Sequence, residues 1–191
     1  MNISVYLKKA NERKIFAFTL LATLVVGFIC GLFLNTILEK LFATDNVIAF
    51  YTDALTGRGS FAGVFFMRLF SDACVTVVFF GISFVGVVFP LYYPFLFFRA
   101  YALGTFAVAF VTHFGISGVL VWFAVVTIPE IITDFALVAF AVLARSIKSK
   151  CEKDKKERLY IFVACLVAEL AASLLSLLVL LVFLRPLFLS Y

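Results

Sequence analysis

Arg99, Glu130, Asp134 and Glu169 stand inside long apolar runs, and each charge near the middle of a lone membrane helix costs at least about 2.5–3.5 kcal/mol. Such groups persist only where they find partners. Glu130 and Asp134 are four positions apart, so on a helix they share a face, and Arg99 can hold a carboxylate through two N–H donors. Counting rises of about 1.5 Å per residue from the ends of the runs puts Arg99, Asp134 and Glu169 at depths of roughly 12–16 Å, with Glu130 a turn further out. One layer can hold all four. One cation against three carboxyls leaves acids in excess, so at least one acid is expected to carry a proton or bind a cation. Two readings follow. In the first, Arg99 and one acid lock helices together while the other acids cap helix ends or face a wet crevice. In the second, the surplus acids bind ions for transport.

Other chemistry lacks its parts. His113 is the single histidine, at an expected interfacial turn, so metal ligation is not expected. Cys30, Cys74 and Cys165 lie in apolar runs and Cys151 in a basic stretch, with neither zinc spacing nor a disulfide framework. Ser117 and Ser173 have no histidine at a comparable depth, and no GxSxG, HExxH or phosphate-cradling loop occurs. Neither an enzyme nor a cofactor is expected.

The elements that carry these residues are membrane helices. Hydrophobic residues make up 65% of the chain and charged ones 14%, against roughly 45–50% and about 25% in a soluble domain, so lipid must cover the surface. The basic residues cluster at the amino terminus and in one late stretch, which argues against nucleic acid. We expect an all-α polytopic bundle of about five transmembrane helices forming a single domain over residues 1–191, with spans at 15–37, 72–90, 94–113, 116–144 and 159–184. The first reads as a retained anchor, not a cleaved signal. Its GFICG places Gly27 and Gly31 for close helix approach, and Ala164, Ala168 and Ala172 mark a similar face on the last span.

Residues 39–71 read as an outer segment too polar to cross, whose part SFAGVFFMRLF could lie among lipid headgroups, with Arg68 and Asp72 paired if helical. Pro90 and Pro94 separate the second and third spans. The fourth carries Pro129 at its centre, and Thr127 with Glu130 three residues later has the capping-box pattern. A Pro-broken fourth helix is therefore expected. Lys8, Lys9, Arg13 and Lys14 precede the first span and seven basic residues lie in the loop 145–158, so both should face the cytoplasm. An even number of crossings must separate them, which makes five spans with the carboxyl terminus outside.

The run FLFFRAYALGTFAVAF, followed by a short turn and a long apolar segment with a central Pro and a nearby acid, resembles the core of the stage II sporulation protein M family. Its strongest piece is the FR-x-Y-x-LG of Phe98, Arg99, Tyr101, Leu103 and Gly104, and FMRLFSDACVTVVFFGISF resembles the family's entry to its second span. The resemblance covers roughly Phe65 to Ala144. Ala100 stands where the family usually has glycine, Glu130-Ile131 replaces its usual polar or His-Gly pair, and Asp134 falls where it often has Glu. The resemblance implies a non-enzymatic scaffold of the sporulation engulfment machinery, in the bacterial cytoplasmic membrane at the division septum. There it would recruit a peptidoglycan amidase and a lytic transglycosylase, and the small-residue faces allow a homo-oligomer as well. The alternative is a small transporter or channel using the buried acids at the broken helix.

Overall fold

The computed structural model describes residues 3–34, 44–56, 58–84, 86–147 and 152–184. All regular elements among them are helical: α1 (Ile3–Phe33), α2 (Thr44–Leu55), α3 (Phe61–Ser83), a 3-10 turn (Gly86–Leu91), α4 (Tyr92–Phe114), α5 (Ile116–Val121), a π-helical turn (Trp122–Thr127), α6 (Ile128–Ser146), α7 (Glu152–Val179) and a closing π-helical turn (Leu180–Leu184). Among the described residues, five stretches are long and apolar enough to cross a membrane: Asn11–Phe33, Phe61–Ser83, Phe89–Phe114, Ile116–Arg145 and Lys155–Val182. The protein is an all-α polytopic helix bundle.

Local chemistry sets the breaks. The Ser60 side chain accepts from the Gly63 amide and starts α3. The 3-10 turn contains Pro90 and leads into α4, and Gly115, at φ 63°, separates α4 from α5.

Several expectations need correcting. The second span begins at Phe61 rather than residue 72, because Arg68 and Asp72 neutralise one another and their neighbours inside the bundle. The outer segment expected at 39–71 therefore shrinks, and its remainder contains helix α2; residues 39–43 lie outside the described residues. The fourth helix is not broken at Pro129. It runs through a π-helical turn into α6, Thr127 has helical dihedrals, and its hydroxyl donates to the Trp122 carbonyl instead of capping. The basic loop 145–158 is part helix: α7 starts at Glu152, Arg158 is buried and donates to the Ile147 carbonyl at 2.8 Å, and residues 148–151 lie outside the described residues. So do residues 35–37 of the first expected span.

Close packing begins with α1 against α4. A Cβ on Gly27 would meet the Phe97 carbonyl at 2.5 Å, and one on Gly31 or Gly104 would strike the backbone of Tyr101 or Phe28. The GFICG pattern is thus a true contact face, and it meets a helix of its own chain. The alanine stripe of α7 is not one: Ala164 is exposed, Ala168 half-buried and only Ala172 fully buried. The buried face is turned by about one residue, to Cys165, Glu169, Ser173, Ser176 and Leu180, because its acid and hydroxyls cannot be left in lipid.

Candidate functional site

Two apolar clusters fill the bundle, and the charged residues fall between them on every helix concerned. Along α3, Arg68 and Asp72 separate Val64 of one cluster from Phe79 of the other; along α4, Arg99 separates Leu96 from Phe110. Glu130 and Asp134 lie between Val126 and Leu137, and Glu169 between Cys165 and Leu180. The result is a polar layer shut between two greasy ones, where water cannot compensate a lost partner.

Arg99 is its hub. Its Nε donates to Asp134 at 2.7 Å, and its Nη2 donates to Asp72 at 2.8 Å, to the Thr133 hydroxyl at 2.7 Å and to Glu130 Oε2. One guanidinium thereby ties α4 to both α3 and α6. Arg68 is the second cation, 6% exposed, donating from Nη2 to Glu130 Oε1 at 3.0 Å and lying 3.8 Å from Asp72. Glu130 bridges the two arginines through its two oxygens. The spacing of Glu130 and Asp134 on one helix face meets Arg99 as expected, and Glu169 alone stands apart. Its Oε1 accepts from the Thr76 hydroxyl on α3, and it forms no salt bridge among the described residues.

Arg68 and Asp72 are the members that sequence reasoning left out of the layer. The signal was present in the pattern: an i, i+4 cation and acid beside an otherwise uncharged run can be drawn into the bundle as a pair, bringing a second cation and a fourth acid, so the excess of acids is unchanged. Tyr51 on α2 is buried at this end of the site; burial raises its phenol above the ordinary range while Arg68 pulls the other way.

The proline of the fourth span has a specific consequence. In an α-helix the Val125 carbonyl would accept from residue 129, and Pro129 has no N–H. That carbonyl instead receives Arg68 Nη1 at 2.9 Å and the Ser176 hydroxyl at 2.7 Å. One missing backbone donor thus draws α3 and α7 onto the π-helical turn. We expect Ser176→Ala to lower stability by about 1 kcal/mol, the usual net worth of a buried hydrogen bond. Its cost should shrink in a Pro129→Ala background, where the substituted residue supplies the missing amide, as read by unfolding in mixed micelles.

The residues of the FR-x-Y-x-LG run each hold a contact. Beside Arg99, the Tyr101 hydroxyl donates to the Leu34 carbonyl, the Leu103 carbonyl accepts from Trp122 Nε1 at 3.3 Å, and Gly104 admits α1. Phe98 is half-exposed and sets its ring edge-on to Phe97. His113 is exposed at the end of α4 with its ring edge-on to Phe114.

A cavity of about 350 Å³ lies between α1, α4 and α6, lined by Leu24, Phe28, Ala100, Leu103 and Ile131, and reaching Thr127 and Asp134. It meets the charged layer at one carboxylate and is otherwise greasy. Comparison with known proteins finds no matching family model, no matching curated protein and no matching solved structure.

Proposed function

We propose that this chain is a membrane scaffold subunit, with its amino terminus and basic stretch in the cytoplasm, its carboxyl terminus outside, and partners recruited through its exposed faces. The observation that carries the reading is how Arg99 is used. Its donors go to side chains of α3 and α6, so the buried charges join helices to one another. Tyr101, Leu103 and Gly104 fasten the same helix to α1 and to the π-helical turn. The run that resembles the stage II sporulation protein M family is thus a set of fastenings, which suits a rigid platform. By that resemblance the partners are a peptidoglycan amidase and a lytic transglycosylase at the division septum.

The test is capture of the tagged full-length chain from bacterial membranes in mild detergent. Enrichment of peptidoglycan hydrolases, lost when exposed outer residues are changed but retained when buried ones are conservatively changed, is the expected result. A second reading, a small transporter, draws on the cavity that reaches Asp134. Proton or solute flux through vesicles containing only the purified chain, with no hydrolase captured, would replace the scaffold with the transporter.

A further inference from the structure

Among the described residues, four buried side-chain atoms at the α3–α7 interface have no hydrogen-bond partner: Arg68 Nε, Asp72 Oδ2, Glu169 Oε2 and Ser173 Oγ. Their placement follows from helix spacing. Arg68, Asp72 and Thr76 recur every four residues on α3, so they form one stripe. Glu169, Ser173 and Ser176 form the facing stripe of α7.

Two observed contacts fix the register. At one end Arg68 and Ser176 meet on the Val125 carbonyl, and at the other Thr76 donates to Glu169. Between these ends Asp72 must face Ser173, with Glu169 beside them. The orphaned atoms therefore converge on one place, closed by two helices that run in opposite directions. Glu169 and Ser173 are each 1% exposed and Asp72 2%, so bulk water does not serve them.

We infer that this place is a proton-binding site centred on Glu169, with the proton on Oε2. A carboxylic acid there matches the contacts on both oxygens. Oε1 is then a carbonyl oxygen, which is the group that accepts from Thr76. Oε2 becomes an O–H donor beside two unsatisfied acceptors, Asp72 Oδ2 and Ser173 Oγ. Charge balance points the same way. Arg68 and Arg99 face Asp72, Glu130, Asp134 and Glu169, and every salt bridge of the two guanidinium groups goes to the first three acids. Glu169 is left without a cation in a layer that already holds more acids than bases.

A metal cation fits less well. Hard cations take about six or more oxygen ligands, whereas three unpartnered oxygens converge here beside a guanidinium nitrogen. Among the described residues no group of three or more His, Cys, Asp or Glu side chains is arranged to hold a metal. The charged and titratable groups around the site are Arg68 and Asp72 on α3, Arg99 on α4, Glu130 and Asp134 on α6, and Cys165 one turn away on α7. Raising the pH removes the proton and adds a second uncompensated negative charge, beside Asp72, so the α3–α7 contact should loosen in alkali.

Infrared spectroscopy of the full chain in phospholipid nanodiscs tests this directly. At neutral pH the wild type should show a carboxylic-acid C=O band that is exchanged for carboxylate bands as the pH rises. Glu169→Gln should remove that band while leaving the helix content and the thermal midpoint unchanged. Thr76→Val, which deletes the donor to Oε1, should move the band to higher frequency, and it decides the matter if the glutamine variant does not fold. The proposal is overturned if the wild type has no such band, if the band survives in Glu169→Gln, or if Thr76→Val leaves its frequency unmoved. A band abolished by sodium at constant pH would assign the site to the metal ion and likewise overturn the proton.

Discussion

Replacing Arg99 with methionine is expected to destabilise the folded chain by about 3–5 kcal/mol, the cost of leaving a buried charge without its partner. Methionine keeps most of the volume, so the loss would come from the three acids on α3 and α6. They do not suffer equally. Glu130 keeps Arg68 through Oε1 at 3.0 Å, and Asp72 keeps Arg68 at 3.8 Å, whereas Asp134 has Arg99 alone as its salt-bridge partner among the described residues. A second change should therefore rescue unequally: Asp134→Asn should restore most of the loss, and Glu130→Gln little of it. Unfolding in mixed micelles, analysed as two double-mutant cycles, measures both couplings. Equal rescue by the two partners would mean that the layer acts as a diffuse charge cloud; a fully stable Arg99→Met would show that the fastening is not needed. Arg68→Met should cost less, since Glu130 retains Arg99 and the Val125 carbonyl retains Ser176.

The contrast between the two arginines also shows what the sequence could carry. Arg99 stands alone in a long apolar run, so burial and a need for acids followed from lipid physics, and the four-residue spacing of Glu130 and Asp134 named the partners. Arg68 sits among phenylalanines but four residues from Asp72, and two opposite charges close together read equally well as an interfacial turn. Only their tertiary neighbours distinguish the cases: Val125 and Glu130 lie 57 and 62 residues away. Pro129 taught a similar lesson. A proline at the centre of a span signals a missing donor, and the sequence-level remedy was a helix break with a cap. The molecule instead widens one turn into a π-helix and satisfies the carbonyl from two other helices, a solution that no local pattern encodes. The alanine stripe of α7 failed for an energetic reason. Small residues permit close approach, but Glu169, Ser173 and Ser176 require it, and the requirement set the rotation of the helix.

The glycine pair was legible in kind but not in partner, and it yields the other large effect. Gly31 and Gly104 face one another where α1 crosses α4, and a Cβ on Gly31 would strike the Tyr101 carbonyl, a backbone atom that cannot swing aside as a side chain would. Gly31→Val should therefore force the helices apart, costing about 3 kcal/mol, at the upper end of the usual penalty for overpacking. Gly81 supplies the matched control: it lies within α3, and a Cβ there meets nothing within 4 Å. Gly81→Ala should accordingly be neutral or stabilising by up to about 1 kcal/mol through helix propensity alone. The same separation would pull Tyr101 from the Leu34 carbonyl and shift α4, the helix that carries Arg99. Gly31→Val should thus also weaken the coupling between Arg99 and Asp134, although neither residue touches Gly31. If that coupling, measured in the Gly31→Val background, is unchanged, then α1 and the charged layer are independent units, and the crossing of α1 and α4 does not position the site.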